Sequence, residues 1–222
     1  MINIAIDGPA GSGKSTVAKI VSDRLDILYL DTGAMYRACG LKCKLLGLDC
    51  KKQIDAESFI SSIDIKIKYE NGNQVTLLDG KDVSFDIRKP DISMLASDIS
   101  AHKAVRMKMV EMQRKIAESM DCVLDGRDIG TFVLPNAKYK FYLTAAAEVR
   151  AERRYKELIC KGETVSFDKL KEEIIMRDYN DCHREFAPLK QAADAVYVDT
   201  SEMTIDEVVN LICETVKKGE KI

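Results

Sequence analysis

The sequence predicts an α/β protein: a parallel sheet flanked by helices on both faces, with a small antiparallel β insert at about 52–88 and a helical lid at about 147–166. Three observations predict it. A glycine-rich segment, Gly8-Pro9-Ala10-Gly11-Ser12-Gly13-Lys14-Ser15, joins a β-branched strand to an amphipathic helix. Further short apolar strands alternate with helical patterns, which implies crossover connections and a sheet covered on both sides. One stretch, Ile63 to Val83, changes to a period of two and carries the turn dipeptides of hairpins. At 222 residues the chain has the length of one domain with an insertion, the core lying at about 1–51 and 89–222.

Ile2-Asn3-Ile4-Ala5-Ile6 alternates as a short buried strand does, and Thr16 to Val21 reads as the first turns of a helix. Ile27 to Leu30 is a second strand. It ends in Asp31-Thr32, a capping pair from which a helix runs to about Leu46. Ile65, Ile67 and Tyr69 then alternate up to an Asn71-Gly72-Asn73 turn, and Val75 and Leu77 up to Asp79-Gly80. Lys103 to Met120 is a helix with Val105, Met109, Met112 and Ile116 on its inward stripe. Cys122 to Asp125, Lys138 to Leu143 and Ala195 to Asp199 are strands. Ala147 to Lys161 and Phe167 to about Arg184 are helices joined by Gly162-Glu163-Thr164. Thr204 to Lys218 closes the chain, with Ile205, Val208, Val209 and Ile212 facing in.

With 46% hydrophobic and 32% charged residues the chain can build a core and is not of a disordered type. A net charge of −2 argues against a general nucleic-acid binder, so any anion site must be a local cluster of arginine and lysine. No apolar run approaches a membrane span and no signal peptide precedes the first strand, so a cytoplasmic protein is expected. The seven cysteines form no Cys-x-x-Cys pair. They read as reduced thiols acting as small buried hydrophobes rather than as a zinc site.

Gly, four residues, Gly-Lys-Ser is the pattern of a phosphate-cradling loop. Its glycines let the backbone turn tightly and bring N–H groups against phosphate oxygens. The helix that follows points its unsatisfied N–H groups and positive end at the same anion. Lys14 adds a mobile charge for the outer phosphates, and the Ser15 hydroxyl is placed to ligate Mg²⁺. A P-loop NTPase-type fold that binds a triphosphate is therefore expected. The donor site comprises Gly8, Pro9, Ala10, Gly11, Ser12, Gly13, Lys14, Ser15 and Thr16.

Four further clusters carry chemistry. Thr32 and Arg37 follow a strand end, where ligands of α/β sheets bind; a helix cap with an exposed arginine is an equal reading. Asp125 ends an apolar strand, where a carboxylate is costly unless it serves a metal or cation, and Arg127 and Asp128 follow between glycines. On the helix after Phe167, Leu170 and Ile174 begin a stripe that continues through Arg177, Asp181 and Arg184. One face thus passes from apolar to charged, as a face running from core to ligand cleft does. Arg150, Arg153 and Arg154 share a helix side, and suit a lid closing over donor phosphates. Pairing with Glu148, Glu152 and Glu157 on a solvated surface is the rival. Arginines on several elements imply a reaction between two polyanions, hence phosphoryl transfer. A monophosphate acceptor, with a second pKa of about 6, is mostly dianionic at neutral pH and needs no general base.

The stretches Ile6 to Thr16, Leu30 to Arg37, Asp125 to Thr131, and Ala187-Pro188-Leu189 leading into Ala193-Asp194-Ala195 resemble bacterial cytidylate kinases, and the resemblance spans almost the whole chain. The hairpin insert resembles the extra domain of that family. The resemblance implies a monomer that transfers the γ-phosphoryl group of ATP to CMP or dCMP with Mg²⁺. It places Thr32, Arg37, Arg127 and Arg184 on the acceptor phosphate, and Arg177 and Asp181 on the sugar. Ser97, Arg106 and Asp128 fall on the cytosine, whose N4 amino group wants a carboxylate acceptor. Tyr36 and Asp125 are counted with the acceptor set. Lys14, Arg127, Arg184, Arg150 and Arg154 are the expected catalytic groups, and Arg153 a further ATP contact. Where the family's pattern has a proline before Val105-Arg106, this chain has Ala101-His102-Lys103. The alternatives are a P-loop kinase for UMP, AMP, dTMP or shikimate, and a nucleotide-binding switch. A switch needs few acceptor-side arginines.

Overall fold

The computed structural model describes residues 1–51, 56–70, 72–160 and 162–219. In chain order they form β1 (Asn3–Asp7), α1 (Lys14–Leu25), β2 (Leu28–Asp31), α2 (Thr32–Leu45), α3 (Ala56–Ser61), β3 (Ile65–Glu70), β4 (Asn73–Leu78) and β5 (Lys81–Asp82). There follow α4 (Pro90–Ser100), α5 (Lys103–Ala117), β6 (Cys122–Gly126), β7 (Tyr139–Thr144), α6 (Ala147–Cys160), α7 (Phe167–His183), β8 (Val196–Asp199) and α8 (Ile205–Gly219). The expected insert boundary at Lys52, the turn residue Asn71 and the helix end at Lys161 lie outside the described residues.

The chain divides into two compact units, one of residues 1–29 and 120–222, the other of residues 30–119. The first is built on the parallel sheet, of strand order β2-β6-β1-β7-β8, except that the last two residues of β2 belong to the second. β1 pairs in parallel with β6 and with β7, and β7 with β8, as the crossover pattern predicts. Its core unites Ile4, Ile6, Val123, Phe141 and Leu143 of the strands with Val17, Ala18 and Val21 of α1 and Val208, Val209 and Ile212 of α8. The expected inward Ile205 is instead about half exposed, at the first position of α8. A smaller cluster of Ala151, Leu158, Leu170 and Ile174 packs α6 on α7.

The second unit holds the antiparallel sheet β3-β4-β5, with Ile65 opposite Leu78 and Leu77 opposite Asp82. It also holds α2 to α5, so it reaches beyond the hairpins. α4 packs on α2 at Gly40, where a Cβ would lie 3.0 Å from the Ala96 nitrogen, so only glycine lets the helices approach this closely. α5 begins at Lys103 although no proline precedes it, and ends at Ala117 rather than Met120. Its buried face is Val105, Arg106, Met109, Val110, Gln113 and Ala117. Met112 and Ile116, expected on that face, are only half-buried. The thiols sort cleanly: Cys39, Cys43, Cys50, Cys122 and Cys213 are buried, Cys160 and Cys182 exposed.

Candidate active site

In the first unit the phosphate loop joins β1 to α1. Gly8 has φ +149, and a Cβ there would fall 1.9 Å from the Leu143 carbonyl oxygen on β7, so the loop cannot lie against the sheet with any other residue. Lys14 opens α1 and is buried, its Nζ donating to the Pro9 carbonyl oxygen at 2.7 Å. Burial and the nearby Arg127 push the Lys14 ammonium down to about 7, against the opposing pull of Asp125. An anion bound here restores its charge.

Asp125, near the end of β6, is buried. Its Oδ2 accepts from the Ser15 hydroxyl at 2.7 Å and its Oδ1 from the Tyr29 hydroxyl at 2.9 Å. A carboxylate and a hydroxyl brought together beside a phosphate loop are the hard oxygen donors that suit Mg²⁺. Tyr29, unmarked in the sequence reading, fixes the second carboxylate oxygen.

The residues that follow Asp125 carry further charged side chains. Arg127 donates from Nε to Asp181 Oδ2 at 2.8 Å, joining the end of β6 to α7. Burial alone would make Arg127 less basic, but Asp181, Asp125 and Asp178 outweigh it and hold the guanidinium charged. Burial would likewise raise the Asp181 carboxyl, yet Arg127 and Arg177 hold it below the usual range. Arg184 follows the last turn of α7. Its Nε donates to the Ala187 carbonyl oxygen at 2.6 Å and its Nη2 lies 3.5 Å from Asp128 Oδ1. Ala187 supplies that carbonyl from a left-handed conformation, φ +48. Such strain in a residue with a Cβ is retained where the surroundings impose it. Beyond Asp128 the chain makes one wide π turn, Ile129–Val133, in which the Asp128 carbonyl accepts from both Phe132 and Val133. The stripe read along α7 is therefore real: Leu170, Ile174 and Asp181 are buried on it, with Arg177 between them and Arg184 at its end.

The three arginines of α6 do not act as one group. Arg150 is buried and donates to the Ala145 and Ala10 carbonyl oxygens at 2.8 and 2.9 Å, while pairing with Asp178 at 2.6 Å. It ties α6 to the phosphate loop and to α7. Arg153 donates to the hydroxyl and carbonyl of Thr200. Arg154 pairs on its own helix, with Glu157 at 2.8 Å. Glu152 pairs with Lys156 and Glu148 with Lys171 of α7.

Asp7 and Asp178 were not singled out from the sequence. Asp7 offered the same signal as Asp125, an acid ending an apolar strand; Asp178 offered none beyond its helix. Burial pushes the Asp7 carboxyl up to about 7, against the two backbone N–H groups of Gly130 and Ile129 that it accepts. A raised carboxyl contributes stability that is fully present below its ordinary 3.8 and lost as pH rises through about 7. Asp7→Asn removes that titration. Urea unfolding from pH 4 to 7 should therefore show the stability difference moving in the variant's favour as pH rises; a pH-independent difference contradicts the assignment.

In the second unit, Asp31 caps α2. Its Oδ1 accepts from the Ala34 N–H at 2.9 Å and its Oδ2 pairs with Arg37 at 2.6 Å. Thr32 is buried at the first position of the helix, and Gln74 of β4 exchanges hydrogen bonds with the Asp31 backbone. The cap reading of this segment therefore holds, and the Arg37 Nε is buried with no acceptor among the described residues. Arg106 is buried, with its guanidinium 4.9 Å above the Tyr36 ring and its Nε donating to the Ser100 carbonyl at 3.1 Å. Ser97 is buried on α4, and its carbonyl accepts from the Ser100 hydroxyl. Thr32, Tyr36, Arg37, Ser97 and Arg106 therefore all belong to this unit, and Tyr36 and Arg106 are in contact.

A glycine-rich loop between the first strand and helix of a parallel sheet, with paired arginines and carboxylates beyond the strand ends, defines a P-loop kinase. The family model for cytidylate kinase matches residues 4–218. A cytidylate kinase of Caldicellulosiruptor bescii is 48% identical over 220 residues, covering 99% of this chain and 97% of that one. One of Lactobacillus gasseri is 46% identical over 221 residues, covering 100% and 96%. This chain belongs to the cytidylate kinase family. Among solved structures, an uncharacterized protein from Eubacterium ventriosum shares the fold, with a TM-score of 0.51 at 13% identity over 98% of this chain and 99% of that one.

Proposed function

We propose that this protein transfers the γ-phosphoryl group of ATP to CMP or dCMP, giving ADP and CDP or dCDP. Membership of the cytidylate kinase family supports this reading. The observation that carries it in the structure is the Arg127–Asp181 pair beside Asp125 and Lys14, with Asp128 and Arg184 next to it.

The reaction joins two polyanions, so the protein's task is to neutralise charge and hold an in-line geometry. The loop from Gly8 to Thr16 cradles the donor phosphates, and Lys14 carries its charge to the transferring group. Ser15, with Asp125 behind it, would hold Mg²⁺. That ion neutralises charge on the donor phosphates when bound. Arg127 and Arg184, with Thr32 and Arg37, take the acceptor phosphate, which arrives as a dianion and attacks without a base. Arg177 and Asp181 take the sugar hydroxyls; Ser97, Arg106 and Asp128 read the cytosine, with Tyr36 beneath Arg106. Arg150, Arg153 and Arg154 belong to the donor side. Within a single kinase domain we assign 52–88 to monophosphate binding and 147–166 to the lid. We take the protein to act as a cytoplasmic monomer; no helix among the described residues is long and apolar enough to cross a membrane.

The test is ATP consumption by the purified protein with Mg²⁺ and one acceptor at a time: CMP, dCMP, UMP, AMP, dTMP or shikimate. Strong turnover with CMP and dCMP, weaker with UMP and none with the others, is the expected result. Turnover with another acceptor overturns the base-reading roles, and slow ATP loss indifferent to every acceptor indicates a switch.

Asp128→Ala bears on those roles directly. A lost hydrogen bond between a charged group and the base is worth about 1.5–3 kcal/mol, so the ratio of CMP to UMP turnover should fall about tenfold or more. An unchanged ratio removes Asp128 from the cytosine.

A further inference from the structure

We propose that Asp7 is a positioning residue for acceptor recognition. Its buried carboxylate fixes the backbone on which Arg127 and Asp128 are mounted. The inference rests on the cytidylate kinase reading above and adds a residue to it.

Asp7 is the last residue of β1 and is 4% exposed. Two separate attachments run from it to one short segment. By strand pairing it stands opposite Gly126, the last residue of β6. By its side chain it accepts from the Ile129 N–H at Oδ1, 2.8 Å, and from the Gly130 N–H at Oδ2, 2.7 Å. Between Gly126 and Ile129 lie only Arg127 and Asp128. One residue therefore holds both ends of the span that carries the guanidinium for the acceptor phosphate and the carboxylate for the base. Both carboxylate oxygens are engaged by N–H groups, which leaves Asp7 to place other residues rather than to take a proton from substrate.

The choice of an acid over an amide follows from the same geometry. A carboxylate accepts through both oxygens, whereas an asparagine side chain accepts through one and turns its NH2 on the other donor. Two successive backbone N–H groups close against one side chain need two acceptors. A neutral residue would have avoided the cost of a buried charge, with Asp128 nearby to add to it. Space is short as well: a Cβ on Gly130 would lie 3.4 Å from Asp7 Oδ2 and 3.2 Å from Lys140 Cδ. Gly130 thus comes close to the carboxylate because it has no side chain.

The experiment compares wild type, Asp7→Asn and Gly130→Ala in steady-state kinetics with CMP, UMP and ATP, alongside amide hydrogen exchange at Ile129 and Gly130. It is run at about pH 8, above the value of about 7 to which burial raises Asp7, so that Asp7 is a carboxylate. For Asp7→Asn the expected result is a rise of about tenfold in KM for CMP and a similar fall in CMP-over-UMP preference, the scale of one lost charge-assisted hydrogen bond. KM for ATP should stay near the wild-type value, and exchange at the two amides should accelerate. Gly130→Ala crowds the junction while keeping the carboxylate, and should show the same signature more weakly. It also decides the matter if Asp7→Asn does not fold. A merely structural role would lower the melting temperature or the active fraction and leave the two KM values and the base preference in place, and that outcome overturns the proposal. Wild type failing to use CMP overturns instead the functional reading beneath it.

Discussion

Lys14→Ala should lower kcat for transfer from ATP to CMP by about a thousandfold, at the upper end of what one preorganised donor to a developing charge contributes. The side chain is buried at the head of α1, where its charge is little screened by solvent. It is also held there at a cost. With no anion present, burial and Arg127 bring the ammonium from its ordinary 10.5 down to about 7. The folded chain therefore binds fewer protons here than the unfolded one between those values. The penalty is full below about 7 and gone above 10.5. The unliganded alanine variant should accordingly melt no lower than wild type at pH 7 while its turnover collapses. Kinetics and thermal melts on one preparation check both halves. Near-normal turnover would remove Lys14 from the chemistry, and a large drop in melting temperature would assign it to the fold.

Arg127→Ala should act on both function and stability. It removes a contact to the acceptor phosphate, so kcat/KM for CMP should fall by two to three orders of magnitude, on the order of 3–4 kcal/mol. It also takes its hydrogen-bonding guanidinium from Asp181, whose side chain is only 6% exposed, and leaves Arg177 as the main charge opposing that carboxylate. Breaking a buried pair from one side costs about 3–5 kcal/mol where nothing else faces the remaining charge. With Arg177 still opposing Asp181, urea unfolding should register a loss at the lower end of that range. Adding Asp181→Ala removes the remaining charge, and the double variant should regain most of the stability but none of the activity. If stability stays low in the double variant, the loss came from packing rather than from an unpaired charge. If CMP turnover survives either variant, Arg127 is no acceptor ligand.

The parallel sheet and the hairpins were legible because period, turn dipeptides and the Gly8–Ser15 loop all pointed one way. α4 was not. Ile92, Ala96 and Ile99 are buried at helical spacing behind Pro90, but Met94 and Leu95 put apolar residues beside that stripe and blur its edge. On α5 the inward face was only half placed: Val105 and Met109 are buried, but Arg106 and Gln113 are buried on it too, and a search for an apolar stripe passes over polar residues. In the candidate site, the stripe on α7 was readable because its spacing is local. The partners of Arg127, Arg150 and Asp7 were not, since each lies tens of residues away in sequence and is set only by tertiary packing. The arginines of α6 show the limit plainly. Spacing placed Arg150 and Arg154 on one side of a helix, whereas burial gives the first to the phosphate loop and Asp178 and leaves the second with Glu157.

The sorting of the thiols has a practical consequence. Five of the seven cysteines are shielded, and the two that face solvent, Cys160 and Cys182, sit at the C-terminal ends of α6 and α7. The chain as it stands therefore offers one matched pair of attachment points for maleimide dyes or nitroxide spin labels, on two helices packed against each other. An interspin distance distribution, recorded with and without nucleotides, would follow the separation of those helix ends with no cysteine engineered in and none taken out.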